Sequence, residues 1–133
     1  MKLHRFGLAT LLLAISAFSS ADDVDILGAE FVQDGDGTWT VNVVLLHDDS
    51  GWDHYADKWR VVDPNGEVLG ERVLLHPHED EQPFARSESG ITIPADQTTL
   101  YIEAHDLVHG WTPDRLTVDM TKVESGRLRV FAE

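Results

Sequence analysis

The chain has 133 residues and no cysteine, and its 24 acidic residues outnumber its 10 basic residues, which gives a formal net charge of −14. The length fits one domain, and a content of 42% hydrophobic and 26% charged residues is that of a globular protein rather than of a disordered chain or a collagen. Binding to nucleic acid through phosphate contacts requires a basic face. The composition does not supply one, so we expect no nucleic-acid partner.

Residues 1–21 have the pattern of a secretory signal peptide. A basic start precedes an apolar run from Gly7 to Phe18, and small residues that permit cleavage follow at positions 19–21. The run is shorter than the ~20 apolar residues of a membrane-spanning helix; a retained membrane anchor is the alternative. We therefore predict an exported protein, periplasmic or secreted, that has no membrane anchor after cleavage. Without Lys2 and Arg5, the net charge of the mature chain falls from −14 to −16.

Short strands and turns follow one another in the mature chain, and almost no stretch has a helical period. Alternating apolar residues predict the strands, and turn sequences such as residues 34–37 and 64–66 join the first four into two hairpins. The predicted strands are residues 31–32, 39–45, 58–62, 67–75, 90–93, 100–105 and 116–120. Residues 127–131 are either an extension or an eighth strand.

Seven short antiparallel strands in about a hundred residues are typical of a two-sheet sandwich. We therefore predict an all-β fold, an immunoglobulin-like or fibronectin type III-like β-sandwich, that forms a single domain over residues 22–133 and is a monomer. Trp59 lies on the third predicted strand, where such sandwiches place a core tryptophan, and we expect it to pack in the core.

The six histidines of the mature chain all fall in or beside three loops. These loops join strands two and three, four and five, and six and seven, and alternate connections of such a fold lie at the same end. The histidines should therefore gather at one pole of the sandwich, together with many of the acidic residues. They are His47, His54, His76, His78, His105 and His109.

Imidazole and carboxylate groups together are ligands for Zn(II), Cu(II) or Ni(II), whereas Cu(I) prefers sulfur ligands. The sequence therefore predicts an exported binding protein for a divalent transition metal at a pole rich in His, Asp and Glu. His76, His78 and His109 are the leading candidate ligands, because His76 and His78 project from the same side of an extended backbone. Further candidate ligands are His47, His54, His105 and Glu79.

Three other interpretations remain open at this stage. The histidines could only fix the loops by hydrogen bonding to carboxylates, in an interaction module for a protein or glycan. Trp52 and Trp111 could form a hydrophobic lid over this end or a stacking platform for a ligand. A metal-dependent hydrolase could use Glu79 or Glu81 as general base, whereas the serines lack the Gly-x-Ser-x-Gly context of a nucleophile elbow.

Three segments resemble parts of small exported proteins of Gram-negative bacteria. These are Trp-Asp-His-Tyr-Ala-Asp at residues 52–57, His-Pro-His at 76–78 with Glu-Gln-Pro-Phe at 81–84, and Asp-Leu-Val-His-Gly at 106–110. The resemblance covers about half of the chain and carries over no catalytic residue. It implies that the histidine-bearing segments belong to one motif set, as the segments of a shared site would.

Overall fold

The computed structural model describes residues 23–133, so the predicted signal peptide lies outside the described residues. Nine strands follow in chain order, and in the described part of the chain the only helical element is a 3₁₀ turn, Met120–Lys122. The strands are β1 (Asp25–Gln33), β2 (Trp39–Leu46), β3 (Ala56–Val62), β4 (Val68–Val73), β5 (Phe84–Ile91), β6 (Thr99–Asp106), β7 (Gly110–Trp111), β8 (Leu116–Asp119) and β9 (Arg127–Phe131).

The strands form two antiparallel sheets that pack face to face. One sheet has the order β5-β2-β1-β9, and the other has the order β4-β3-β6 with both β7 and β8 paired to β6. Each of the hairpins β1–β2 and β3–β4 stays within one sheet. The chain crosses between the sheets after β2, β4, β5 and β8, so the predicted all-β sandwich is confirmed.

Period-two alternation places apolar side chains between the sheets, because successive side chains of a strand point to opposite faces. In β2, Trp39, Val41, Val43 and Leu45 are buried, while their neighbours within the strand are not. The Trp59 side chain of β3 is fully buried in the same core, as predicted.

Turn chemistry explains both predicted hairpins. In the first, the backbone N–H of Gly37 donates to the carbonyl of Asp34, and Gly37 has a positive φ of 87° that favours glycine. In the second, one carboxylate oxygen of Asp63 accepts from the N–H groups of Asn65 and Glu67. Such side-chain-to-backbone bonds stabilise a turn before the strands pair.

The structure corrects the predicted strands in the second half of the chain. The fifth strand is Phe84–Ile91 rather than residues 90–93, because β5 is an edge strand in which only Phe84 and Ile91 are buried, so its pattern does not alternate. Residues 127–131 form a separate strand that pairs with β1. The predicted loop of residues 106–114 contains the short strand β7, whose Trp111 pairs with His105.

Candidate metal centre

Three loops meet at one end of the sandwich, and we call this end the histidine pole (residues 47–55, 74–83 and 107–109). The N–H of His78 donates to the Asp49 carboxylate at 2.8 Å, which joins the second loop to the first. The N–H of Leu107 donates to the carbonyl of Tyr55 at 3.3 Å, which joins the third loop to the first. The predicted convergence of the loops is confirmed.

The buried carboxylate of Asp49 organises the centre of this pole. One oxygen accepts from the Nδ1 of His47 at 2.6 Å and from the N–H of Ala56 at 2.9 Å. Its other oxygen accepts from the N–H of His78. Because an ionised carboxylate can only accept, the Nδ1 of His47 is the donor in this bond.

A compact ligand group lies next to this pair and consists of His47, His54 and Asp106. One donor atom from each of the three lies within 4.8 Å of the others, and the rings of His47 and His54 are 4.9 Å apart. His47 and Asp106 are buried and His54 is partly exposed. Two imidazoles and a carboxylate at this separation are a ligand set for a transition metal.

Two buried polar atoms in this group have no hydrogen-bond partner in the structure. The first is Oδ2 of Asp106, a residue with no exposed surface, and the second is Nε2 of His54. The His54 Nε2 lies 3.3 Å from the other carboxylate oxygen of Asp106 but does not form a hydrogen bond with it. Buried polar atoms are almost always paired. Two unpaired atoms that can both bind a metal ion, in the same group, therefore indicate an ion-binding site.

The loop after β6 keeps Asp106 ionised. Burial raises the pKa of this carboxyl, but the N–H groups of His109 and Val108 donate to Oδ1 at 2.7 and 2.8 Å, and together with the His109 ring they bring the pKa below its ordinary value of 3.8. A charged carboxylate with one oxygen held by N–H groups and the other unpaired is suited to bind a cation.

His109 and Asp23 form a second group of donor atoms around the same Asp106. The Nδ1 of His109 lies 3.1 Å from Asp106 Oδ1, and its ring is 5.2 Å from that of His54. The side chain of His109 is 31% exposed, which places it at the solvent side of the centre.

His76 and His78 lie together but outside both ligand groups. Their rings are 4.4 Å apart, and the ring of His78 stacks on Phe84 at 4.0 Å. The Arg86 guanidinium contacts Nε2 of His78 at 2.8 Å, and since arginine only donates, His78 must accept there as a neutral ring. Burial, Arg86 and His76 all lower the pKa of His78 below 6.5. Nδ1 must then carry the proton, and it is buried without a hydrogen-bond partner, so His78 offers no lone pair to a metal ion.

The remaining candidates are also outside the ligand groups. His105 pairs with Asp57 at 2.5 Å and packs against the edge of Trp111. Glu79 is exposed, and its carboxylate is near Gly51. The structure therefore brings together three of the predicted ligands, His47, His54 and His109, around a carboxylate that the sequence-based ligand set did not include.

The two tryptophans of the predicted lid take different positions. Trp52 is 66% exposed and forms an edge-to-face contact with Tyr55 at 5.8 Å, so the lid interpretation is wrong for it. Trp111 stacks with the Arg60 guanidinium at 3.6 Å. A cleft of about 820 Å³ lies between β1, β8 and β9, and none of the six histidines lines it.

Comparison with known proteins gives one informative match. The chain is 43% identical over 92 residues to a protein named "Putative lipoprotein" from the halophilic archaeon Halomicrobium mukohataei. The match covers 69% of this chain and 43% of that relative, so this chain spans less than half of the relative's length. No family model and no solved structure matches the chain. The resemblance to exported proteins of Gram-negative bacteria therefore stays a prediction.

In residues 23–133, no helix is long and apolar enough to cross a membrane.

Proposed function

We propose that this protein is an exported binding protein for a divalent transition metal, Zn(II), Cu(II) or Ni(II). His47, His54 and Asp106 are the central ligands, and His109 binds from the solvent side. The observation that carries the proposal is the pair of unpartnered buried atoms, Asp106 Oδ2 and His54 Nε2, within one ligand group. Leaving such atoms unpaired is costly, and a metal ion would satisfy both.

The surroundings of His47 support a metal ligand rather than a residue that only fixes the loop. Histidines that bind metals usually donate their other ring N–H to a carboxylate or carbonyl, which sets the tautomer and holds the ring in place. The bond from His47 Nδ1 to Asp49 is of this kind, and both side chains are fully buried.

The donor atoms favour a transition metal over calcium or magnesium. Ca²⁺ and Mg²⁺ take oxygen ligands, whereas imidazole nitrogen suits Zn(II), Cu(II) and Ni(II). Cu(I) is disfavoured because the chain lacks cysteine, and Met120 lies at the opposite end of the sandwich, where its N–H donates to the carbonyl of Thr98. The predicted signal peptide and the lipoprotein name of the archaeal relative support export.

Metal binding is better supported than metal-dependent hydrolysis. A hydrolytic centre needs a substrate cleft beside the metal as well as an open coordination position. None of the six histidines lines the cleft between β1, β8 and β9, although the cleft begins at Val24, directly after Asp23 of the second donor group.

Calorimetric titration tests the proposal. The tag-free exported protein, stripped with a chelator, is titrated with zinc, copper(II) and nickel near pH 7.5 and near pH 5. We expect one-to-one binding at the higher pH and strong weakening at the lower, because imidazole binds metal only when neutral and its ordinary pKa is about 6.5.

Two single substitutions locate the site. His54→Gln should weaken metal binding by about 100-fold or more, because it removes a ligand. The matched control, His76→Gln, changes an exposed histidine of the same pole and should leave the affinity within about 2-fold. If the His54→Gln variant binds metal as well as the parent protein and the His76→Gln variant binds none, this ligand set is wrong. No binding tighter than the micromolar range would overturn the proposed function.

A further inference from the structure

Large exposed apolar side chains lie in the same loops as the histidines of the pole. Trp52, Leu75, Leu107 and Val108 are 66%, 72%, 46% and 59% exposed, respectively. They belong to the three loops of the histidine pole, and we call them the apolar collar. Single exposed apolar residues are ordinary, but several large ones at the same end of a small domain are typical of an interaction surface.

Each member of the collar lies within two residues of a histidine in the chain. Trp52 lies two residues before His54, Leu75 directly precedes His76, and Val108 directly precedes His109. Because His54 and His109 belong to the donor groups, a molecule that covers Trp52 and Val108 would come close to the metal centre. His54 and His109 have side chains that are 20% and 31% exposed, so a bound molecule could reach the centre from that side.

Backbone hydrogen bonds position Leu107 and Val108 of the collar, and a ring contact supports Trp52. Tyr55 supports Trp52 edge to face, and its carbonyl accepts from the N–H of Leu107. The N–H of Val108 donates to Asp106. An exposed tryptophan on a preorganised loop is the kind of residue that dominates binding energy at protein interfaces.

Exposed carboxylates flank the collar in the same loops and define the chemistry of the partner. They are Asp48, Asp53, Glu79, Asp80 and Glu81. A second copy of this chain would oppose like charges at this face, and anionic lipid headgroups would be repelled in the same way. The complementary surface has an apolar centre with lysine or arginine around it.

We propose that the histidine pole is the docking face for an exported protein with such a surface, and that this protein exchanges the metal ion with the His47, His54 and Asp106 centre. The exchange part rests on the proposed function. It is a ligand substitution without redox change, in which each bond between the metal and a nitrogen or oxygen of this chain is replaced by a bond to a donor of the partner. His109 and His54, at the solvent side, would be replaced first.

Site-specific cross-linking in the native host identifies the partner. The photoreactive residue p-benzoylphenylalanine replaces Leu75 in the full chain, and the control carries it in place of Val68, which is 44% exposed next to the hairpin turn at the opposite end. We expect a protein adduct from position 75 and none from position 68. Equal adducts at both positions, or adducts only with a second copy or with lipid, would overturn the docking proposal.

The cross-linked protein, identified by mass spectrometry and purified, is then titrated against this chain. Trp52→Ser with Leu75→Ser should raise the Kd by about 30-fold or more, and the Val68→Ser control should leave it within about 2-fold. Raising sodium chloride from about 50 to about 300 mM should weaken binding several-fold, since opposite charges flank the contact. A Kd that is insensitive to the collar substitutions or to salt contradicts the proposal.

A metal-transfer experiment tests the exchange of metal separately from docking. With metal-loaded protein, we expect the ion to appear on the partner after mixing, and the collar double variant should slow this transfer. If the chain binds no metal, the proposed function fails, while the Kd of the collar variant still decides the docking proposal. Docking without transfer from loaded protein would refute metal exchange alone.

Discussion

The carboxylate of Asp49 and the imidazole of His47, two residues apart, are joined by a hydrogen bond of 2.6 Å, and neither side chain has any exposed surface. Both residues continue the inward-facing positions of β2 beyond the end of that strand. The same carboxylate holds the backbone of β3 at Ala56 and of the loop after β4 at His78. A single buried side chain thus fixes a candidate ligand and two further parts of the fold.

Asp49→Ala should destabilise the protein by about 3 kcal/mol or more. The substitution leaves three buried donors without an acceptor, and each unpaired buried group costs roughly 1–3 kcal/mol. Urea unfolding, followed by tryptophan fluorescence, measures the change. Asp48→Ala is the matched control, because the neighbouring side chain is exposed, and it should shift stability by less than about 0.5 kcal/mol. Equal losses in the two variants would contradict this role.

Asp106→Asn should abolish tight metal binding with a smaller effect on folding. The asparagine carbonyl can still accept from the N–H groups of Val108 and His109, but the ligating negative charge is lost. The expected loss of metal affinity is about 100-fold, measured by calorimetry. Asp119→Asn is the control, because Asp119 accepts a backbone N–H from Thr121 in the same way but lies on the outer side of β8, away from the pole. Retained metal binding by the Asp106 variant would exclude this carboxylate as a ligand.

The sequence predicts the sandwich because alternation is a local property. It could also have identified the key carboxylate, since Asp106 follows Leu100, Ile102 and Ala104 at inward positions of β6 and is therefore expected to be buried. His47 and Asp49 continue β2 in the same way. A charged residue at an inward position is therefore a sequence signal for a site.

The grouping of the histidines could not be predicted in this way. The choice between His76 with His78 and His47 with His54 depends on contacts between distant loops. Arg86, on β5, occupies the Nε2 of His78. The boundaries of β5 could not be predicted from the sequence either, because an edge strand that pairs on one side and is mostly exposed has no alternating pattern.

Protonation of His78 should destabilise the metal-free protein as the pH falls. Burial, Arg86 and His76 lower the pKa of this ring below its ordinary value of 6.5, so the unfolded state binds a proton more readily than the folded state. The associated stability is complete above about pH 6.5 and is lost as the pH falls through that value toward the folded-state pKa. Urea unfolding between about pH 7.5 and pH 5 should show this decrease.

The variant His78→Gln isolates that contribution. It lowers stability at every pH through lost packing on Phe84, but its free energy of unfolding should depend less on pH over this range than that of the parent protein. The control His76→Gln alters the exposed neighbour and should keep most of the parent's dependence. A pH dependence in His78→Gln as steep as in the parent would place the titrating group elsewhere.

Gly28→Ala should weaken the pairing of β1 with the C-terminal strand β9. A Cβ atom at Gly28 would lie 2.7 Å from the backbone carbonyl oxygen of Val130, which cannot move without disturbing the pairing of Gly28 with Phe131. Crowding of this kind costs about 1–3 kcal/mol. The matched control is Gly35→Ala in the first hairpin turn, where no atom lies within 4 Å of the added methyl group. Urea unfolding midpoints compare the two, and a midpoint for Gly28→Ala no lower than that for Gly35→Ala would show that β9 shifts outward at little cost.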